Sequence, residues 1–594
     1  MRSIDFERCF KNLSFGPDIT ENGDRRFRLW APEKKSVSLL IDGETFPMEN
    51  CNNGFWEKDV EEIKGSGLYG FIVNGSGPYP DPAGRFMPEG IGGLSGLWDI
   101  TPASREEEWK GIPLKDLVIY ELHTGTFSPQ GTYDGIVERI PHLRDIGINA
   151  VEIMPVAQFY GERNWGYDGV YIYSPASCYG SPSSLKNLVS SLHQAGIAAI
   201  LDVVYNHSGP VGNYLDRIAP FHSDLHRTPW GNCFNLDGPF SDNVRRFILE
   251  NVIYWIKYYG FDGLRLDAVH GIVDLSPTHI LQEIGELSKL LSGKLHREIT
   301  IIAETDQNDS KITETGKCGY GLQAQWNDDF HHSLHTILTG ESRSYYMDYG
   351  SIDDLYRSLK NGFDYDGRYS AFLRRSRGTF WDNAHPERLV VFSQNHDQIG
   401  NRAFGDRLLS IAGKKKSLIA SSLALLSPYT PMIFMGEELG STDPFQFFID
   451  TNDQELEKAV IEGRRSEFRE FSWAEDIPNP VNLSTFAESK IHWGSHEEIA
   501  NNEFIAHFRD LIRLRKEFVT PWRNSVNVQK RNDCITMAYR SGLSLFLNLS
   551  ETVIKVNDAG DRKVMDIPLL GKRSVVTEAD DGLISMGTGM LITI

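Results

Sequence analysis

The stretch DGLRLD at residues 262–267 is a short apolar run that ends in a carboxylate, and it decides how the chain folds. Two later apolar runs end in the same way, at Glu304 in AE (303–304) and at Asp397 in NHD (395–397). A single acidic residue after a hydrophobic run is usually a cap or a turn residue. Three such acidic residues in succession along the chain indicate strands whose carboxyl ends contribute residues to an active site.

Segments of helical length alternate with these strands. Leu185, Leu188 and Leu192 have helical spacing and precede the buried run AAILDVV at residues 198–204. The same alternation recurs at 136–143 before 150–154 and at 244–252 before 263–267, and further strand candidates are 117–122, 299–303, 389–394 and 432–435. Strands and helices that alternate in this way require parallel pairing and right-handed crossovers. The sequence therefore predicts a central (β/α)8 TIM barrel with its active site at the carboxyl ends of the strands.

Shorter strands flank the predicted barrel on both sides. Alternating runs at 26–31, 37–41 and 69–73, separated by Gly, Asn and Pro, predict an N-terminal β-sandwich over residues 1–105. The catalytic barrel is predicted over residues 106–520, and a small C-terminal all-β domain over residues 521–594. The longest irregular stretches, 205–242 and 328–388, follow strands, so we expect them to build a cleft.

Composition limits the class of protein. A chain of 594 residues is too long for one core, which agrees with several domains. Its 60 Lys and Arg residues against 81 Asp and Glu residues give a net charge of −21, which argues against nucleic acid and anionic membranes as partners. The first residues, MRSIDFER, lack the apolar core of a secretory signal, and no later run is long and uncharged enough to span a bilayer. We therefore expect a soluble, cytoplasmic protein without a membrane or nucleic-acid partner. The six cysteines are scattered without CxxC spacing, which predicts thiols rather than zinc ligands or a disulfide framework.

The three carboxylates suit the cleavage of a glycosidic bond. That reaction needs one carboxylate beneath the sugar and one protonated carboxyl beside the leaving group. Asp267 and Glu304 end neighbouring strands, so a carboxyl separation of roughly 5–5.5 Å is feasible, as in retaining glycosidases. Arg265 projects on the same strand face as Asp267 and can keep that nucleophile ionised. Glu304 must start protonated, so either desolvation or nearby negative charge, for which Asp267 and Asp397 are the candidates, would have to raise its pKa.

The remaining polar residues at these strand ends would bind the same sugar. Asp397 comes from a third strand and would hold the ring hydroxyls and favour a distorted ring. His207 and His396 would supply further hydrogen bonds.

Four segments carry a resemblance to a known family. DVVYNH (202–207), GLRLD (263–267), AE (303–304) and NHD (395–397) resemble, in order and spacing, the four signature regions of the α-amylase superfamily, glycoside hydrolase family 13. The resemblance implies that Asp267 is the nucleophile, Glu304 the acid/base and Asp397 the transition-state stabiliser. It also implies that the ligands of the first sugar are His207, Arg265 and His396. NWGYDG (164–169) resembles the family segment in which a tyrosine stacks on that sugar, which implies stacking for Tyr167 and a polar supporting role for Asp168.

A narrower resemblance covers nearly the whole chain. QWNDDFHH (325–332), QNHDQIGNR (394–402), SPYTPM (427–432) and DAVH (267–270) resemble the malto-oligosyltrehalose trehalohydrolase family, and RLWAP (28–32) resembles a carbohydrate-binding-module-like domain. This resemblance implies hydrolysis of the α-1,4 bond next to the terminal trehalose of malto-oligosyltrehalose, with release of trehalose. It also implies functional pairing with a malto-oligosyltrehalose synthase. The candidates for recognising the trehalose end are expected on loops, and they are His270, Asp306, Trp230 and residues 328–332.

Other interpretations stay open at the level of sequence. Asp202 and Asn206 could simply orient the loop after their strand. They also resemble residues of the calcium site of secreted amylases, but its other ligands are not recognisable, so we expect no metal and no cofactor. A branching or debranching enzyme or an α-amylase would share the three carboxylates and differ only in its loops. A glycan-binding scaffold is disfavoured because all three carboxylates are present.

Overall fold

Eight parallel strands close into a barrel in the computed structural model of the chain, which confirms the predicted (β/α)8 TIM barrel. The structure describes residues 5–61, 63, 65–103, 109–316, 318–468, 477–549, 554–556, 577–578, 584–586 and 589–593. The barrel strands, first to eighth, are Ile119–Leu122, Ala150–Ile153, Ala198–Val203, Gly263–Leu266, Thr300–Ala303, Ala324–Trp326, Leu389–Phe392 and Thr430–Phe434. Each strand pairs with the next, and the eighth pairs with the first.

Helices cover the outside of the barrel. Their apolar faces bury against the strands, as in the helix Pro182–Gln194, whose Leu185, Leu188 and Leu192 are all buried. Over the described residues, the connections after the first to fourth barrel strands contain the helices Thr124–Phe127, Tyr133–Val137, Ile140–Ile146, Pro182–Gln194, Leu215–Ile218, Ser241–Ile253 and Ile280–Leu295. Those after the sixth to eighth contain Asp328–Thr339, Ile352–Asn361, His396–Gly400, Leu408–Ala412, Lys414–Leu426, Gln454–Phe468, Leu483–Glu488, His496–Ala500 and Glu503–Leu514. Between the fifth and sixth strands, the described residues contain only the 3-10 turn Ser310–Ile312.

Sequence analysis missed the sixth barrel strand. Ala324–Trp326 is only three residues long and leads directly into polar residues, so it lacks a recognisable apolar run. The expectation that 328–388 is irregular is also wrong, because this stretch contains the helices Asp328–Thr339 and Ile352–Asn361. Residues 328–332 therefore lie in the first turns of a helix rather than on a loop. The side chain of Asn327 starts that helix by accepting a hydrogen bond from the amide of Phe330.

The N-terminal region forms two antiparallel sheets that pack face to face, as predicted for a β-sandwich. One sheet contains Asp18–Ile19, Arg25–Trp30, Phe55–Val60 and Glu49–Asn50, and the other contains Glu44–Pro47, Val37–Ile41, Leu68–Val73, Ser76–Tyr79 and Ser95–Gly96. Phe27 of the first sheet meets Tyr69 of the second with ring centroids 5.0 Å apart. Trp30 is buried edge-on against Phe221 of the barrel domain, at 5.4 Å, so the two domains share an apolar contact.

The chain ends in further antiparallel strands, as predicted. Asn527–Arg531, Cys534–Ala538, Ser544–Asn548 and Gly589–Thr593 form one sheet, and Ile554–Val556, Ile584–Met586 and Thr577–Glu578 form another. The hydroxyl of Tyr539 donates to the carbonyl of Leu426 at 2.7 Å, which joins the first sheet to a barrel helix. The domain limits at residues 105 and 520 remain predictions. In the parts of the chain described above, no helix combines the length and the hydropathy needed to cross a membrane.

Candidate active site

Three acidic side chains meet at the carboxyl end of the barrel. Asp267, Glu304 and Asp397 follow the fourth, fifth and seventh barrel strands, and their side chains are 13%, 14% and 36% exposed. Neighbouring parallel strands bring their carboxyl ends to the same rim, which gathers residues that are far apart in sequence. The three carboxyls that the sequence predicts as functional therefore lie close together at one rim of the barrel.

Asp267 is held on both of its carboxylate oxygens. Arg265 donates to Oδ1 at 2.8 Å, and the side-chain amide of Asn206 donates to Oδ2 at 2.8 Å. The amide of Asp267 also donates to the carbonyl of Val203 on the third strand at 3.0 Å. These contacts fix the direction of the carboxylate, as a nucleophile requires.

Arg265 forms the floor of the site and is fully buried. Its Nη1 donates to Asp202 Oδ1 and Oδ2 at 2.9 Å and 2.8 Å, and its guanidinium carbon lies 4.3 Å from the ring centroid of Trp326. A buried cation must be paired, and here carboxylates and an aromatic face pair it. Burial raises the pKa of Asp202 against the opposing effect of Arg265, to about 6. Asp202 and Asn206 thus orient Arg265 and Asp267, in line with the interpretation that they have a supporting role.

Glu304 lies in surroundings that favour its protonated form. Burial raises its pKa well above the usual range, Arg265 opposes this rise, and the charges of Asp267 and Asp397 add to it. The amide of Ala268 donates to Oε2 of Glu304. Ala268 holds a left-handed backbone with φ 38°, an unfavourable conformation for a residue other than glycine, directly after the candidate nucleophile. A carboxylic acid whose surroundings favour its protonated form suits a general acid.

His396 and Tyr167 lie beside Arg265 and Asp202. The Nδ1 and the amide nitrogen of His396 donate to the two oxygens of Glu121, and its Nε2 donates to the hydroxyl of Tyr167 at 2.7 Å. That hydroxyl in turn donates to Asp202 at 2.7 Å, and the two rings stack at 5.2 Å. Burial disfavours the charged imidazole, but Asp397 and Glu121 outweigh it and raise the pKa of His396 to about 9. His396 is therefore a cation at neutral pH and can donate from both ring nitrogens.

Glu121 is a site residue that sequence reasoning missed. It belongs to the first barrel strand, is buried, and holds His396 through two contacts. The available signal was a carboxylate inside the apolar strand IYEL (119–122), because such a group is rarely buried without a partner. Trp326 lies in the motif QWNDDFHH (325–332), and nothing in the local sequence predicts its stacking on Arg265.

A second group of predicted residues lies around the loop after the third strand. His207 donates through Nδ1 to the side-chain oxygen of Asn206, and burial lowers its pKa. Trp230 is 50% exposed at the turn between the strands His222–Thr228 and Gly231–Phe234. Its ring centroid lies 6.1 Å from that of His207 and 6.0 Å from that of the exposed His270. These three rings form one cluster of an indole and two imidazoles.

Two further predicted binding residues are Asp168, whose charge acts on His207, and Asp306. Asp168 follows Tyr167, and its carboxylate accepts from the side chain of Asn164 at 2.6 Å. Asp306 is half-buried two residues beyond Glu304, close enough to influence Asp328. Burial, Asp306 and Asp397 raise the pKa of Asp328 to about 7. The cleft therefore has a carboxyl-rich wall near Glu304.

The sequence and the fold have known relatives. Residues 100–224 match the family model "Alpha amylase, catalytic domain". A malto-oligosyltrehalose trehalohydrolase from Saccharolobus solfataricus is 41% identical over 553 residues, which cover 92% of this chain and 95% of the relative. A malto-oligosyltrehalose trehalohydrolase from Arthrobacter ramosus is 41% identical over 83% of this chain and 87% of its own length. A crystal structure from Salmonella typhimurium, provisionally described as an alpha amylase, matches 98% of this chain and 99% of its own with a TM-score of 0.87 and 37% identity.

Proposed function

The chain belongs to the malto-oligosyltrehalose trehalohydrolase family of the α-amylase superfamily, and we propose that it hydrolyses the α-1,4-glucosidic bond next to the terminal trehalose of malto-oligosyltrehalose. It is a glycoside hydrolase, and its products are trehalose and a shortened malto-oligosaccharide. The observation that supports this function most strongly is the 41% identity to a malto-oligosyltrehalose trehalohydrolase across 92% of the chain. This identity favours the trehalohydrolase over a branching or debranching enzyme or an α-amylase. The complete set of Asp267, Glu304 and Asp397 disfavours a glycan-binding scaffold.

The first chemical step forms a covalent intermediate. An oxygen of Asp267 attacks the anomeric carbon of the sugar, and the bond from that carbon to the leaving oxygen breaks. Glu304 gives its proton to the leaving oxygen, so trehalose departs as a neutral alcohol. The donors Arg265 and Asn206 support the orientation of Asp267 for this attack, and the raised pKa of Glu304 supports its role as the acid.

The second step releases the sugar chain. Glu304 is now a carboxylate and takes a proton from water, whose oxygen attacks the anomeric carbon and displaces Asp267. Two displacements at one carbon retain its configuration, so the product keeps the α configuration. Glu304 regains its proton and the site returns to its starting state.

The other predicted site residues bind the sugar undergoing attack. Asp397 stabilises the positive charge of the transition state and the distorted ring. Tyr167 stacks on its face, and the neutral His207 hydrogen-bonds to its hydroxyls. The Nε2 proton of the cationic His396 turns from the hydroxyl of Tyr167 to a sugar hydroxyl when the substrate binds. Asp168 supports this sugar from the same loop.

Trp230, His270 and Asp306 are the candidates for recognising the trehalose end of the substrate. Trp230 offers a half-exposed aromatic face, the kind of surface on which sugar rings stack, and His270 beside it offers a hydrogen-bonding edge. Asp306 contributes a carboxylate on the side of Glu304. The functional pairing with a malto-oligosyltrehalose synthase, which would supply the substrate, and the cytoplasmic location are also part of this proposal.

Product analysis tests the function directly. Purified protein is incubated separately with maltotriosyl-trehalose and with maltopentaose, and the products are separated by chromatography. We expect trehalose and maltotriose from the first substrate, released much faster than any product from the second. Asp267→Ala should lose nearly all turnover in the same assay while still binding substrate, because it removes a covalent step rather than a binding contact. Comparable rates on both substrates, or longer branched products, would instead indicate an amylase or a branching enzyme.

A further inference from the structure

The carboxylate of Asp397 contacts a residue at the far end of its own helix. Asp397 lies in the first turn of the helix His396–Gly400, and its side chain is 36% exposed. The side-chain amide of Asn401, the residue after that helix, donates to Oδ1 of Asp397 at 3.3 Å. The two oxygens of Asp267 accept side-chain hydrogen bonds at 2.8 Å, so the contact that holds Asp397 is longer. Its strength therefore depends on how the amide of Asn401 is oriented.

Arg464 contacts Asn401 and the end of the same helix. It belongs to the helix Gln454–Phe468, which follows the eighth barrel strand. Its Nη2 donates to the carbonyls of Gly400 and Arg402 at 2.9 Å and 3.3 Å, and its Nη1 donates to the side-chain oxygen of Asn401 at 3.4 Å. The last carbonyls of a helix lack partners within it, and a cation near that end is favourable. One guanidinium therefore holds three consecutive residues where that helix ends.

The contact with Arg464 decides which way the side-chain amide of Asn401 faces. A guanidinium can only donate hydrogen bonds, so it must face the oxygen of the amide. The amide nitrogen then faces Asp397, whose ionised carboxylate can only accept. Exchange of the two amide atoms would set donor against donor at Arg464 and acceptor against acceptor at Asp397. Arg464 and Asp397 together thus permit a single orientation of Asn401.

Arg464 is itself held by aromatic packing. It is half-buried, and its guanidinium carbon lies 5.1 Å from the ring centroid of Phe447. Phe447 meets Trp165 edge-on at 5.1 Å, and Trp165 meets the ring of His396 edge-on at 5.7 Å. A Cβ atom on Gly400 would overlap the ring of Trp165, so glycine is needed for the helix to approach the indole this closely. Arg464 therefore packs against the same group of rings as the helix that it holds.

We propose that Arg464 is a positioning residue for the reaction, and that it acts by holding Asn401 in the orientation that directs its amide nitrogen at Asp397. The helix Gln454–Phe468 thereby helps to fix the carboxylate that stabilises the transition state. This inference rests on the proposed trehalohydrolase function. Because Asp397 acts on the transition state, its misplacement should lower kcat more than it raises KM.

Steady-state kinetics of Arg464→Ala with maltotriosyl-trehalose test the assignment. We expect kcat to fall roughly 10- to 100-fold, as is typical of a misplaced catalytic group, with a much smaller change in KM. Added guanidinium ion, at concentrations far below those that denature proteins, should restore part of the lost kcat, whereas sodium ion should not. Arg465→Ala is the matched control, because Arg465 is the next residue of the same helix and is exposed. It should leave kcat, KM and the response to guanidinium unchanged.

A double-mutant cycle with Asn401→Ala distinguishes action through Asn401 from a general loss of structure. The double variant should be no slower than the slower single variant, since both substitutions break the same chain of contacts. Losses of kcat that multiply in the double variant would overturn the assignment.

Arg464→Lys serves if Arg464→Ala is too unstable to assay. Lysine keeps the charge but lacks the planar fork that contacts three acceptors, so kcat should fall here as well while the melting temperature stays close to that of the wild type. A wild-type kcat in both Arg464 variants would also overturn the assignment. Failure of the proposed function is a separate result, because the wild-type protein itself would then release no trehalose.

Discussion

Asp267 and Glu304 are carboxyl groups of nearly equal exposure whose neighbours give them different properties. Asp267 receives hydrogen bonds from two side-chain donors, which fix its two oxygens. Glu304 receives one hydrogen bond from a backbone amide and lies among other acidic groups in a buried position, so its pKa is raised. A carboxyl group with a fixed orientation beside one with a raised pKa is the combination that a retaining glycosidase needs for its nucleophile and its acid.

Glu304→Gln should separate substrates by their need for a proton. Loss of a general acid costs roughly 10²- to 10⁴-fold in kcat/KM, and we expect this loss with maltotriosyl-trehalose, whose leaving oxygen needs a proton. With α-maltotriosyl fluoride the loss should be much smaller, because fluoride departs with less need of a proton. Wild-type kcat/KM should also fall as pH rises through the raised pKa of Glu304, since only the protonated form is active. Steady-state kinetics with both substrates over a pH series measures these effects.

The control is the pH dependence of kcat/KM for Glu304→Gln with α-maltotriosyl fluoride as the substrate. Gln cannot lose a proton in this range, so the variant should show no alkaline decline that is attributable to residue 304. An equal loss on both substrates would contradict the assignment of Glu304 as the acid.

At the scale of single residues, the sequence predicts those functional residues that end an apolar run. Asp267, Glu304 and Asp397 each end an apolar run, and the structure brings all three to one rim. Glu121 escaped notice because its partner, His396, lies 275 residues away and nothing in the local pattern announces the pair. Long-range pairings of this kind become visible only when the barrel closes.

At the scale of elements, the sixth barrel strand and the helix after it show what a pattern of apolar residues misses. A strand of three residues is too short to produce a periodic signal, and the polar residues that follow it look like a loop. In the fold, those polar residues cap the helix and tie it to 364–377. The structural use of Asn327 and Asp329 depends on a segment more than thirty residues later, which local sequence cannot reveal.

Adjacent aspartates in this element should respond in opposite ways to the same substitution. Asp329→Asn would leave the largely buried Arg377 without its carboxylate, and breaking such a buried pair typically costs about 3–5 kcal/mol. Asp328→Asn should not lower the unfolding free energy, because its only hydrogen bond among the described residues is long and its surroundings disfavour the charged form. Urea denaturation followed by tryptophan fluorescence measures both variants against the wild type. Similar losses of stability in the two variants would contradict this division of roles.

At the scale of the whole molecule, buried histidines should couple the stability of the barrel domain to pH. Burial lowers the pKa of His123 and of His507 to about 4, and it lowers those of His331 and His332 well below the usual value. These side chains are neutral in the folded protein, whereas an unfolded histidine takes up a proton below a pKa of about 6.5. The contribution of these histidines to the free energy of unfolding is therefore fully present above pH 6.5, and it is lost as the pH falls toward 4. His396 acts with the opposite sign, because its raised pKa of about 9 contributes stability below pH 6.5 that is lost as pH rises toward 9.

His507→Asn should reduce the acid sensitivity of the fold. One histidine whose pKa changes from about 6.5 in the unfolded chain to about 4 in the fold costs about 2 kcal/mol of stability between pH 7 and pH 5. The variant should therefore lose about 2 kcal/mol less than the wild type over that interval, even if its stability at pH 7 is lower because a buried side chain has changed. Urea denaturation at pH 5, 6 and 7 measures this difference. His492 is exposed, so His492→Asn should leave the pH dependence unchanged. An unaltered pH dependence in His507→Asn would contradict the lowered pKa of His507. His123 offers a second test, because it is also buried, between Thr126 and the carbonyl of Asn164.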